Sequence, residues 1–365
     1  MPPKPPNPRA LEQARAQLDE ALAARPDDVG LLILRGRADE RTGRYSEAAT
    51  FFQRAARLCR RSGDRAAEGA SLIDCGASLS RAGFDVEARE AYQRAISCYE
   101  LSGAELATAQ ARLALVRHEL THHRFRSVRQ QLDLCLEPLE SHESWDELGW
   151  VFDRLVDCTL REGGLEEALN YARFGVEVAA RAKDRRQFGL RLKVVGSLHH
   201  ELGNPSKARG YLKKSLRYLQ DPEQRRARLE ALLELALLAE LQGEGATALD
   251  CLEEALEVVD RGAVATERGW VRLQLAEQLS PLDPLRTRRL LEEALELLAS
   301  VGDPKLAAPA WLKLAIVQGQ LGHPEEAGRA LDQAWSLFDS VGDVEGQAQV
   351  TAARHASSLR EPSPE

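Results

Sequence analysis

The segment His118-Glu-Leu-Thr-His122-His123 holds the most suggestive pairing of side chains in the chain. Histidines at i and i+4 share one face of a helix, a spacing that can grip zinc. Two imidazoles do not complete such a site, which needs a third ligand and a supporting shell. With no third ligand evident in the sequence, no metal is expected. His199-His200 reads as a groove or surface pair. The six cysteines, Cys59, Cys75, Cys98, Cys135, Cys158 and Cys251, contain no C-x-x-C pair, and most stand among apolar neighbours. They read as small buried hydrophobes. No G-x-x-x-x-G-K-[ST] loop occurs, nor a G-x-G-x-x-G after a strand. Carboxylates are abundant, as on any solvated helix, and pairs of them identify nothing. No catalytic residue and no cofactor is expected, and the chain reads as non-enzymatic.

The 365 residues exceed what one compact core usually holds. The formal net charge of -8 argues against non-specific binding to nucleic acid or to an anionic membrane, which needs a basic field. Free cysteines without a secretory h-region point to a reducing cytoplasm. No apolar run is long enough to span a bilayer. The proline-rich residues 1–9 and the tail 360–365 are expected to be disordered.

The elements that would carry these side chains follow from a period. A small residue recurs at Ala55, Ala95, Cys135, Gly175, Ser215, Ala255, Ala294 and Ala334, at spacings of 40 residues with a single 39. A second ladder runs Gly36, Gly76, Val116, Val156, Gly196, Ala236, Ala276, Ala315. A third runs Ala48, Ala88, Val128, Ala168, Ala208, Ala248, Thr287, Ala327. A position that stays small at fixed period marks a close helix–helix contact, once per unit of a stacked array. Glycines between the helices of a unit, such as Gly43 and Gly83, predict left-handed turns. The missing residue falls between Ala276 and Ala294, at Ser280-Pro-Leu-Asp-Pro284. The array therefore reads as a lone second helix, eight antiparallel pairs and a closing helix over residues 10–359. The unit around Val116 and Val128 is the most degenerate.

The clearest single unit, Leu32, Gly36, Gly43, Tyr45, Ala48, Phe52 and Ala55 after Pro26, resembles the tetratricopeptide repeat (TPR). Two further units, Leu72, Gly76, Gly83, Ala88, Tyr92, Ala95 and Trp311, Ala315, Gly322, Ala327, Leu331, Ala334, repeat the match. The period departs from the usual 34 residues. The forty-residue form is similar to arrays in kinesin light chains, bacterial peptide-sensing regulators and maltose-type transcription activators. The resemblance implies an all-α, right-handed solenoid whose first helices line a concave groove that binds a peptide or helix.

On that register the groove residues are Arg117, Trp150, Asp153, Asp157, Lys193, His200, Leu233, Leu237, Trp270, Leu273, Leu312 and Ile316. Leu233, Leu237, Leu273, Leu312 and Ile316 form an apolar strip suited to an amphipathic partner helix. Its alternative is burial of these leucines against adjacent units. Trp150, Asp153 and Asp157 share a face that could read a basic side chain. Repeat-to-repeat ion pairs, including Lys193, are the competing reading. The lysine and asparagine clamp for heat-shock-chaperone tails is missing, since Ile33 and Arg37 hold those places. The expected function is that of a scaffold or adaptor for a protein segment, monomeric alone. The alternative is a peptide-switched regulator, weakened because the repeats begin by about Leu11 and leave no room for an effector bundle.

Overall fold

The computed structural model describes residues 8–358, and no strand occurs among them. The chain divides into two compact units, Met1–Lys183 and Asp184–Glu365. The first holds α1 (Pro8–Ala24) and the pairs α2 (Val29–Arg41) with α3 (Tyr45–Ser62), and α4 (Arg65–Arg81) with α5 (Asp85–Ser102). Next come α6 (Glu105–Thr121) with a second helix split into α7 (Phe125–Asp133) and α8 (Leu136–Ser141), then α9 (Trp145–Arg161) with α10 (Leu165–Arg181). The second unit holds α11 (Arg185–Glu201) with α12 (Pro205–Leu216), and α13 (Arg225–Leu241) with α14 (Gly245–Asp260). It continues with α15 (Ala265–Leu279) and α16 (Pro284–Ala299), α17 (Pro304–Gln320) and α18 (Pro324–Ser340), and ends on α19 (Val344–Ser358). The termini expected to be disordered lie outside the described residues, save Pro8 and Arg9 in the first turn of α1.

All three small-residue ladders are buried along their length. The structure also gives the reason for the smallness. A Cβ on Gly36 would stand 2.8 Å from the Phe52 ring, one on Gly76 2.9 Å from Tyr92, and one on Gly196 2.8 Å from Leu212. Each partner lies sixteen residues on, in the second helix of the same pair. Where the first-helix residue gains a side chain, the facing residue is no larger than leucine. Val116 and Leu132 share one core cluster, Ala236 and Leu252 another, and Ala315 and Leu331 a third. The rings of Phe52 and Tyr92 thus face glycine, while leucine faces glycine, alanine or valine: the contact limits size without fixing it.

The turns carry two separable signals. Within pairs, Gly43, Gly83, Gly163, Gly203, Gly243 and Gly322 are left-handed, with φ between 70° and 83°. Between pairs, an aspartate often caps the next first helix: Asp64 accepts from the Ala67 N–H at 2.9 Å and Asp343 from the Gly346 N–H at 2.9 Å. Three left-handed positions lack glycine: His123 (φ 56°), Glu143 (φ 53°) and Lys183 (φ 57°). Two of them flank the second helix of the degenerate pair, which breaks at Leu134–Cys135. Pro138 explains the break, because it has no N–H to offer the Leu134 carbonyl. The break spares the core: Val128, Leu132, Cys135 and Leu139 remain fully buried.

The first unit also holds a buried charge that the period does not announce. Asp39 is fully buried between Arg35, which hydrogen-bonds it, and Arg15 of α1, whose Nε lies 2.8 Å from Oδ1. Arg35 reaches on to Asp19 at 2.6 Å, so the lone first helix is clamped by charge as well as by packing.

Two variants test these readings. Gly76→Ala, pressing on Tyr92, is expected to cost about 1–3 kcal/mol by overpacking. Combined with Tyr92→Leu the two costs are expected to be less than additive, as measured by chemical denaturation. Glu143→Gly is expected to stabilise by about 0.5–1 kcal/mol, because it removes left-handed strain at an exposed position. An unchanged or lower midpoint would show that strain there is absent.

Candidate functional site

In the first unit the guanidinium of Arg117 lies 4.9 Å from the Trp150 ring centroid, and that of Arg154 lies 5.9 Å from it. Arg154 in turn pairs with Asp157 at 2.9 Å. The Arg117 contact joins α6 to α9 and the Arg154 contact lies within α9, each worth about 0.5–1 kcal/mol at such exposure. Asp157 is taken by a neighbour in its own helix, and Asp153 lies half-buried on the same face. The two carboxylates are not a free pair awaiting a cation.

The second unit presents a polar ladder between successive first helices. Lys193 Nζ meets Glu230 at 2.6 Å, and Glu234 accepts from Ser197 Oγ at 2.6 Å and faces His200 Nδ1 at 3.2 Å. Gln278 donates to Glu240, and Lys313 meets Glu277 at 2.6 Å. Lys193 and His200 thus join one repeat to the next. Burial pushes the Glu230 carboxyl up, but hydrogen bonds and charge from Lys193 and then Arg226 outweigh it and hold the group below the usual range. Glu240 moves the other way, raised by burial and by Glu277. Negative charge is therefore in local excess around Glu240.

The apolar strip divides. Leu237 and Ile316 are each 45% exposed and Trp270 is 37% exposed, while Leu233 is half-buried. Leu273 and Leu312 are each only 7% exposed, so the expectation that they line a groove is corrected. Leu273 packs in a cluster with Ala310 and Leu314 of α17, and Leu312 in one with Val350 of α19. In their column the next pair comes close enough to cover the side chain. Beside Ile316 opens a cavity of about 320 Å³, lined by Ala276, Glu277, Ser280, Leu291, Lys313 and Val317 among others. It lies at the step of 39, where α15 stops at Leu279 and Ser280 begins the turn.

The cysteines are placed as the sequence reading expects: five are buried and Cys251 is half-buried. Burial pushes the Cys75 thiol up to about 11 and Cys135 to about 12, so neither is a nucleophile at neutral pH. The histidine pair set aside for want of a third ligand does have one within reach. Asp85 opens α5, and its Oδ1 lies 3.1 Å from His122 Nε2. The signal was a separation of 37, the same that joins Lys193 to Glu230 and Arg37 to Asp74.

The polar ladder has a pH signature. A carboxylate held below its usual value stabilises the fold above the ordinary carboxylate range and loses that contribution as pH falls through its lowered value. Glu230→Gln is expected to lower stability at pH 7 by less than about 1 kcal/mol, the pair being partly exposed. The deficit should vanish in acid; thermal melts at several pH values check both points.

A tetratricopeptide repeat family profile matches residues 27–101. A search of curated proteins finds no match. Among solved structures, the apo form of RapI is 14% identical with a TM-score of 0.59, over 92% of this chain and 95% of that one. A Signal Transduction ATPase with Numerous Domains protein with a tetratricopeptide repeat sensor, from Pyrococcus horikoshii, is 15% identical with a TM-score of 0.57; the match covers 95% of this chain but 56% of that one. The C-terminal part of a TPR repeat-containing protein from Cytophaga hutchinsonii is 14% identical with a TM-score of 0.55, over 75% of this chain and 98% of that one. At such identities the likeness is one of fold. With the repeat profile over residues 27–101 and the same helix pairs continuing in both units, the chain has the fold of tetratricopeptide-repeat arrays, with a forty-residue period.

Proposed function

We propose that this protein is a non-enzymatic scaffold or adaptor that captures a segment of a partner protein on the first helices of its second unit. The observation that carries the reading is the exposure of Leu237 and Ile316 in corresponding positions of α13 and α17, with Trp270 on α15 between them. Large apolar side chains that the fold does not bury are the usual mark of a docking surface. Around them Glu240 and Glu277 supply negative charge. An amphipathic segment with apolar anchors and basic neighbours fits this chemistry. The cavity beside Ile316 has room for one such anchor. The thiols suit a reducing cytoplasm, where they would stay free. No helix among the described residues is long and apolar enough to cross a membrane.

A second reading has the same surface take a free peptide and act as a regulator through protein contacts. The Pyrococcus protein, which carries tetratricopeptide repeats as a sensor, is the precedent. A peptide that alters the scattering profile of the pure protein would favour it.

The test is affinity purification from the native host with wild-type chain and with a Leu237→Glu/Ile316→Glu variant, both substitutions lying on the surface. The variant is expected to keep its helicity and lose the co-purifying partner. A partner recovered equally by both would remove this surface from consideration. Leu312→Ala, in the core, serves as the contrast: it should lower stability by about 2–5 kcal/mol.

A further inference from the structure

We propose that Asp85, His118 and His122 form a binding site for one divalent transition-metal ion of the zinc class. The three side chains come from two helices of successive pairs, and their candidate ligand atoms all lie within 4.8 Å of one another. A tetrahedral ion with bonds of about 2.0–2.1 Å sets its ligand atoms about 3.4 Å apart. The edge between His122 Nε2 and Asp85 Oδ1 already has that length, at 3.1 Å. The imidazoles of His118 and His122 lie side by side, with centroids 4.7 Å apart. The other ligand-atom edges, none longer than 4.8 Å, must come within that tetrahedral length for all three groups to reach one ion. Two imidazoles and a carboxylate are the donor set that zinc, nickel and cobalt prefer over magnesium or calcium.

The surroundings of His118 accommodate a ligand role through a change of tautomer. The ring is buried, and each of its nitrogens has a partner. Nδ1 lies 3.0 Å from Ser80 Oγ, and Nε2 lies 3.2 Å from the backbone carbonyl oxygen of Asp85. Without metal, Nε2–H donates to that carbonyl and the Ser80 hydroxyl donates to Nδ1. With metal, the ring proton moves to Nδ1, the serine hydroxyl turns to accept it, and Nε2 offers its lone pair to the ion. A hydroxyl serves either tautomer without moving its oxygen. An outer hydrogen bond that fixes the ring of a ligating histidine is the common companion of such sites. His122 and Asp85 are half-exposed, which gives the ion a path in and leaves its remaining position to water. A bound ion would tie the start of α5 to the end of α6, the first helix of the pair whose second helix is broken and whose left-handed turn residue is His123.

The experiment uses the full chain, freed of metal with a chelator and desalted, titrated with Zn2+ by calorimetry and with Co2+ by visible absorption. The expected result is one equivalent of Zn2+ per chain and a Co2+ spectrum of low-symmetry coordination. Thermal stability should rise with Zn2+ concentration, as binding to the folded state alone requires. Asp85→Asn and His122→Gln, neither in the core, should each weaken binding by about tenfold or more, and Ser80→Ala by a smaller factor. Far-ultraviolet circular dichroism confirms that each variant is folded. His123→Asn, adjacent but outside the set, should bind as the wild type does. Absence of saturable binding would overturn the proposal. So would binding that Asp85→Asn and His122→Gln leave intact, because the ion would then sit on other histidines.

Discussion

Two helices can lie close only if one of them yields volume to the other, and every pair in this protein is shut by that trade. Gly36 yields to Phe52, Gly76 to Tyr92 and Gly196 to Leu212, with less than 3 Å to spare for a missing methyl group. The contact recurs every forty residues because each pair is buried only by its neighbours and must solve the same packing problem afresh. What recurs is a limit on size: the rings of Phe52 and Tyr92 are met by glycine, while leucine tolerates up to valine opposite it.

Closure within a pair leaves the joining of pairs to other forces, and here charge is prominent. Separations near 37 bring one first helix against the next, and polar side chains hold many of these places: Arg37 with Asp74, Lys193 with Glu230, Ser197 with Glu234; the same separation also sets Asp85, at the start of a second helix, against His122. Exposed pairs of this kind contribute little to stability individually. Their value lies in register, since a carboxylate left unmatched at the seam between pairs is costly enough to disfavour a slipped packing. Glu240, raised by burial and by Glu277, shows how near the seam comes to that limit.

The period, the helix pairs and the burial of all three ladders were legible in the sequence because each depends on spacing alone. The degenerate pair was legible too: Val116 and Val128 are larger than their counterparts, and the structure places a broken helix there. The surface was less so. Leu233, Leu273 and Leu312 occupy one column, yet the first is half-buried and the other two are core. Whether a column faces solvent depends on how closely the following pair approaches, which a one-dimensional pattern does not carry. The pairing of Asp85 with the two histidines was hidden for a related reason. The forty-residue ladders mark equivalent positions, whereas contact between pairs runs at a shorter separation that only the tilt of successive helices reveals.

The single step of 39 falls where the chain turns, with α15 ending at Leu279 and α16 opening at Pro284. A residue lost inside a helix would rotate everything beyond it by about 100° and throw its buried stripe into water. Lost in the turn, it leaves Thr287, Ala294 and Ala315 seated in the core as their forerunners are, and the accommodation is a hollow beside Ser280. The bends of this protein therefore act as expansion joints. Length can change there without altering the phase of the helices, and the small void beside Ser280 is the local trace of that change.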